Sequence, residues 1–288
     1  MGTTLTVQDI VSRVKDLPTI PAAALAVMRE ADSSTCTARS VADHISRDQA
    51  LSARVLRLSN SAYYGLSRQV TDLQEAVVVL GMRSVRNLAV IAATYPWMSK
   101  PVSGYMLEPL AMWKHSFGVA VGSQLIAKKS AAADPDLAFT AGLLHNIGKV
   151  ALSVWIDKKL AMMLNYANKD GLTFNEVERK IVGFDHCEIG AYLGEMWDLP
   201  PSLISPIRYH HEPSLCEPNS LVVDCVHVAD FLTMMLGLGL GGDGLRYELD
   251  MRAIERLKIS TEELDYLTAD FIAAYENYTK LLEAMNVE

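Results

Sequence analysis

Apolar residues recur at steps of three and four along nearly the whole chain, and alternating runs of β-branched residues bounded by turns are almost absent. A stripe of that period is the signature of amphipathic helices, so the pattern predicts an all-α protein. Leu51, Val55, Leu58 and Ala62 mark one face of a helix that Asp48 can cap, and Leu73, Val77 and Leu80 mark the next, which Gly81 ends. A further helix from about Met82 to Ala93 carries Val85, Leu88, Ala89 and Ala92 on one side. The Pro96 to Gly104 stretch then breaks the pattern, and the division into two helical subdomains, 1–104 and 105–288, is placed there.

The second half restarts near Leu110 with a long helix through Lys129. An Ala-rich turn containing Pro135 leads into the helix of His145, another helix runs to about Asn168, and Asp170-Gly171 turns the chain. Thr173 with Glu176 three residues on reads as a capping box for a helix to Val182. His186 opens the next element, Leu199-Pro200-Pro201 closes it, and Ser202 is the expected cap of a short helix ending at His210-His211. Leu221 to Leu236 is apolar almost all round except Asp224, His227 and Asp230, which predicts a central buried helix. The glycine-rich loop from Gly237 to Gly244 lacks the Lys-Ser/Thr of a phosphate cradle and is assigned no function.

Composition narrows the picture. Half the residues are hydrophobic and 21% charged, as in an ordinary globular fold. With 34 acidic and 26 basic residues the net charge is −8, which repels phosphate backbones and argues against nucleic acid as a partner. Arg54, Arg57, Arg83 and Arg86 are too few to reverse that balance. The cysteines Cys36, Cys187, Cys216 and Cys225 show no C-x-x-C spacing, so neither a disulfide framework nor a zinc ribbon is expected, and a reducing cytoplasm fits. No secretory signal pattern opens the sequence, and no window holds the roughly 20 uninterrupted apolar residues of a membrane span.

The chemistry gathers on histidine. All but His44 of the seven fall in the second half, and His115, His145, His186, His210 and His211 sit where several helices can converge. In His145-Asn146-x-x-Lys149 the outer residues share a helix face, with Asn146 turned about 100° away. Together with Asp230 these histidines offer up to five neutral nitrogens and one carboxylate. That set suits iron, zinc, manganese or nickel better than calcium or magnesium. His227 reads as a buried, hydrogen-bonded histidine and His44 as a helix-surface residue. Lys149 reads equally well as a phosphate contact or as a solvated lysine.

The chain resembles the HDOD family of bacterial signalling modules, relatives of HD-type phosphohydrolases. The resemblance rests on Leu17-Pro18-Thr19-Ile20-Pro21, Ile45 to Leu51, Val55 to Gly65 with its Asn60-Ser61-Ala62 turn, and Ala76 to Gly81 with Val85-Arg86-Asn87-Leu88. It implies an HDOD-specific helical bundle followed by an HD-like bundle. In the second half Trp113-Lys114-His115-Ser116, Gly142 to Lys149, His186, His210-His211-Glu212-Pro213 and His227 to Asp230 resemble the HD metal motif. His115, His145, Asn146, His186, His210, His211 and Asp230 are the metal positions so implied. Two departures stand out: Asn146 replaces the bridging aspartate, and no Gly-Tyr-Pro follows His211-Glu212, where the cyclic-dinucleotide phosphodiesterases have it. The resemblance therefore implies a signal-transduction module with a degenerate metal site, partnered by signalling proteins such as a receiver domain or sensor kinase. The alternatives are a metal-dependent phosphohydrolase acting on a nucleotide or cyclic dinucleotide, and a metal-binding sensor.

Overall fold

The computed structural model describes residues 6–12, 19–30, 36–131, 133–156, 172–218, 220–241 and 248–285. Leu17-Pro18, the helix beyond 156 to Asn168, the Asp170-Gly171 turn and positions 242–244 of the glycine-rich loop lie outside them. The described residues form helices α1 (Val7–Ser12), α2 (Ala22–Glu30), α3 (Ala38–Ser46), α4 (Gln49–Ser59), α5 (Leu73–Leu80), α6 (Met82–Met98), α7 (Ala111–Ser130), α8 (Pro135–Leu144) and α9 (Ile147–Ile156). They continue as α10 (Phe174–Val182), α11 (His186–Met196), α12 (Pro201–Tyr209), α13 (Leu221–Met235), α14 (Met251–Leu257) and α15 (Thr261–Met285). Among these residues the only β pairing is one isolated bridge between Val102 and Leu107. The all-α expectation holds.

Two compact units are formed, one of residues 1–18 and 97–267, the other of 19–96 and 268–288. The division therefore differs from 1–104 and 105–288 for two local reasons. α6 does not break at Pro96 but runs on to Met98. Proline cannot donate to the Ala92 carbonyl four residues back, and the Arg54 guanidinium approaches that oxygen instead, at 3.4 Å. At the other end the chain returns to the 19–96 unit within α15, where the Tyr278 ring stacks on Tyr63 with centroids 4.5 Å apart.

In the 19–96 unit, Asp48 caps α4 by accepting from the Leu51 amide at 2.9 Å, and Leu51, Val55 and Leu58 are buried. The helix stops at Ser59, so Ala62 leaves the expected face and is exposed in the following turn. Asn60 makes that turn: its side chain donates to the Leu56 and Val70 carbonyls and accepts from the Val70 amide at 2.7 Å, pinning ten residues of loop to the helix end. The neighbouring Ser61 hydroxyl is buried and finds no hydrogen-bond partner. Gly81 ends α5 with φ 84°, a conformation that disfavours side chains. His44 is half-buried, less exposed than a surface residue.

In the other unit α13 is buried along almost its whole length and packs against α7, α8, α12 and α14, as its all-round apolar sequence predicts. Its Asp224 is held by a two-pronged ion pair with Arg256 of α14, at 2.6 and 2.8 Å. The Thr173–Glu176 capping box forms. Ser202 does not cap α12: Pro200 occupies the cap and Pro201 the first turn, where a missing N–H costs nothing. The stretch Pro135–Ile156 reaches the length and mean hydropathy of a membrane span although Asp136, His145, Asn146 and Lys149 interrupt its apolar run, and 83% of its most apolar window is buried within the fold. It is interrupted by a turn at His145-Asn146.

Candidate metal centre

The candidate ligands are delivered by five different elements. His115 projects from α7, His145 and Asn146 form the turn between α8 and α9, and His186 is the first residue of α11. His210 caps the C-terminus of α12 with His211 next to it, and Asp230 comes from α13. Their rings meet: centroids are 5.5 Å apart for His115–His145, 4.8 Å for His145–His210, 5.6 Å for His186–His210 and 4.1 Å for His210–His211. Glycine permits the convergence of α9 and α11, since a Cβ on Gly148 would overlap the His186 carbonyl oxygen and stand 2.6 Å from the Gly190 amide nitrogen.

His145 and Lys149 do not share one continuous helix face, because the helix breaks at 145–146 and restarts at Ile147. Lys149 is buried, not solvated, and its ammonium lies 5.4 Å from the Tyr105 ring centroid. It lines, with His115, Asn146, Asp230, Met112 and Gly239, a cavity of about 20 Å³, enough for a water or an ion. The glycine-rich loop has a role after all. Gly239, at φ 65°, sits where a side chain would overlap the Ala111 carbonyl, and the adjoining Leu238 carbonyl accepts from His115 Nδ1 at 3.2 Å.

That contact fixes a tautomer. With their Nδ1 atoms facing backbone carbonyls, that of His145 at 2.6 Å from Gly142, neutral His115 and His145 rings carry their protons there and leave each Nε2 as an acceptor. Those lone pairs face Asp230 Oδ1 at 2.9 and 3.7 Å, an opposition of acceptors that a cation between them would satisfy. Two buried oxygens here, Asp230 Oδ1 and Asn146 Oδ1, have no hydrogen-bond donor. The Asn146 amide nitrogen instead lies on His145 Nε2 at 2.7 Å. His115, His145 and Asp230 thus fit one divalent ion, with Asn146 Oδ1 as a neutral fourth donor once the amide turns over.

Burial pushes His145 down to about 3, and it holds His210 and His211 well below the usual imidazole range with their neighbouring imidazoles adding to the effect. Burial by itself would favour a neutral Asp230. The adjoining His115, His145 and His211 rings outweigh it and keep the carboxyl well below the ordinary range. At neutral pH His145, His210 and His211 are neutral imidazoles beside one anion.

A second cluster adjoins. His186, His210 and His211 gather with Cys187, their ligand atoms all within 4.8 Å of one another. His186 is held by Glu178, whose Oε2 accepts from both its amide and its Nδ1 at 2.8 Å while Oε1 accepts the Tyr105 hydroxyl at 2.5 Å. His227 is spent on structure, donating to the His210 carbonyl and accepting from the Asp250 amide. All seven sequence-predicted positions are therefore brought together. Cys187, Glu178 and Tyr105 were missed; only Cys187, adjoining His186, carried a signal in the sequence.

The profile of the HDOD domain matches residues 17–213. A protein of uncharacterised function from Treponema pallidum (strain Nichols) is 27% identical over 212 residues, which are 73% of this chain and 40% of that protein. Among solved structures, an HDOD domain protein of unknown function from Geobacter sulfurreducens superposes with TM-score 0.75 at 24% identity, over 96% of both chains. A proposed phosphohydrolase from Shewanella amazonensis SB2B superposes with TM-score 0.70 at 27% identity, over 96% of this chain and 97% of the other. A match over most of the sequence, on the fold and motifs described above, makes the chain a member of the HDOD domain family.

Proposed function

We propose that this HDOD chain is a bacterial signal-transduction module that works through contacts with signalling proteins, such as a receiver domain or a sensor kinase, and not by phosphate hydrolysis. The observation that carries the reading is the single carboxylate of the pocket. Asp230 is its only anion among the described lining residues, and Asn146 stands where a second would bridge two cations. Cleavage of phosphodiesters by paired metals needs a bridging anion to hold the ions about 3.5–4 Å apart.

A second reading, a mononuclear metal-binding sensor, is favoured by the acceptor Nε2 atoms of His115 and His145 and the two orphaned oxygens. An iron, zinc, manganese or nickel ion held by His115, His145, Asp230 and Asn146 would supply Lewis acidity in the cavity. Lys149 would place a cation on the same cavity. The similarity to the proposed phosphohydrolase of Shewanella keeps hydrolysis as the competing reading.

Metal content of the purified protein, and hydrolysis of cyclic dinucleotides and a generic phosphodiester with manganese, iron or zinc, separate the three. No metal-stimulated turnover is expected. Turnover abolished by chelator and by His145→Ala would defeat the signalling reading. Stoichiometric metal without turnover, whose removal alters a partner interaction, would establish the sensor.

A further inference from the structure

We propose that the cavity lined by Asn146, Lys149 and Asp230 is the receptor of a small neutral ligand, a primary carboxamide carried on an aromatic body. The inference rests on the signal-transduction reading, to which it adds a chemical input, and it requires no metal ion.

The polar walls of the cavity set the head group. Asn146 Oδ1 and Asp230 Oδ1 are buried acceptors without a donor, on residues only 2% and 4% exposed. The Asn146 amide nitrogen is engaged by His145 Nε2 at 2.7 Å, which leaves the oxygen to be met from the cavity that Asn146 lines. Lys149, also buried, brings an ammonium to the same walls. Buried polar groups call for partners, so the cavity asks for two N–H donors and one acceptor. A primary carboxamide carries both N–H groups and the carbonyl oxygen in one compact planar group.

Charge balance selects a neutral head over an ionic one. Asp230 and Lys149 already set one anion and one cation on the cavity. A carboxylate head would meet Asp230 and an ammonium head would meet Lys149, each a like charge in a buried place, whereas an amide completes hydrogen bonds to both and adds no charge. The rest of the lining is mostly apolar: Leu107, Met112, Met234 and Leu240. At about 20 Å³ the cavity seats only the compact head, so the body of the ligand lies against these side chains. Thioethers pack favourably on aromatic rings, and Leu240, 39% exposed, is the apolar side chain that a ring would take from water.

Calorimetric titration of the full chain in chelator tests this with matched probes on one phenyl ring: benzamide, N,N-dimethylbenzamide, benzoate and benzylammonium. Benzamide is expected to bind one to one and to raise Tm. The other three should bind at least about tenfold more weakly, since each leaves a buried polar group unmet or sets like charges together. Acetamide, the head without the ring, should be weaker than benzamide by at least about the same factor. Lys149→Met should weaken benzamide at least about tenfold, and Leu240→Ser, a change at a part-exposed side chain, should weaken it by a smaller factor. No binding of benzamide at millimolar concentration, equal binding of benzoate or benzylammonium, or benzamide affinity unchanged in Leu240→Ser would overturn the proposal. The native probe series and Leu240→Ser decide even if Lys149→Met misfolds. Failure of benzamide in chelator would leave the signalling and metal readings standing, and a chain that binds benzamide but contacts no signalling protein would lose the signalling reading and keep the pocket.

Discussion

Glu178 is fully buried, and its carboxylate accepts from the Tyr105 hydroxyl, the His186 amide and His186 Nδ1. Replacing one oxygen by an amide nitrogen removes an acceptor and sets a donor against the donors that face it in a fully buried site. Glu178→Gln is therefore expected to cost about 3 kcal/mol in urea unfolding, and Tyr105→Phe, which removes one donor only, about 1–2 kcal/mol. A double-mutant cycle should show the two coupled, and additive costs would mean that the three groups do not act as one unit. Asn146→Asp works in the opposite sense. It places a second carboxylate on the cavity that already holds Asp230, so the metal-free variant should melt several degrees below the native protein, as roughly 1–2 kcal/mol of like-charge repulsion would give. Saturating manganese should reverse the order. A variant indifferent to manganese would show that the two side chains do not face a common ion.

Helix contacts set by glycine decide whether these residues meet. Gly148 lets α9 approach α11 so closely that a methyl group would strike backbone on the facing helix, and backbone cannot turn aside as a side chain can. Gly148→Ala should lower stability by about 2–3 kcal/mol and weaken metal binding at both clusters, since the His145 turn and His186 sit on either side of that contact. Native-like melting and metal content in this variant would remove the contact from the account. Asp48→Ala, which only uncaps α4, should cost about 1 kcal/mol and leave metal binding unchanged. The cap was legible in the sequence because its signal is local: Asp48 stands directly before a periodic apolar run. The close approach at Gly148 was not, because a glycine inside a motif looks the same whether it turns the chain or packs it. Long-range pairing explains the other differences. The continuation of α6 through Pro96 involves Arg54 from another helix, and the partnership of Tyr105 with Glu178 joins residues whose separation hides them from any periodicity. The seven candidate positions were readable from the gathering of histidines with Asp230 and from the resemblance; their falling into two groups depends on ring orientations that spacing does not encode.

The pocket's burial makes the whole molecule sensitive to acid. His145 titrates near 3 in the folded protein and near 6.5 when exposed, with His210, His211 and His227 lowered in the same direction, all with burial as the leading cause. Between those limits the unfolded chain binds more protons than the folded one, so stability rises with pH and is lost as pH falls below about 6.5. Each histidine fully neutral in the fold adds up to about 1.4 kcal/mol per pH unit to that slope. Asp230 is also depressed on folding, and its contribution, present above the unfolded carboxyl value of about 3.9, is lost only at lower pH. The window from pH 6.5 to 5 therefore reports the imidazoles alone. In chelator the urea midpoint should fall steeply across that window and be flat between pH 7 and 8. A level profile from pH 8 to 5 would mean that the histidines are not held neutral in the fold, and the acceptor nitrogens on which metal binding in this pocket depends would be gone.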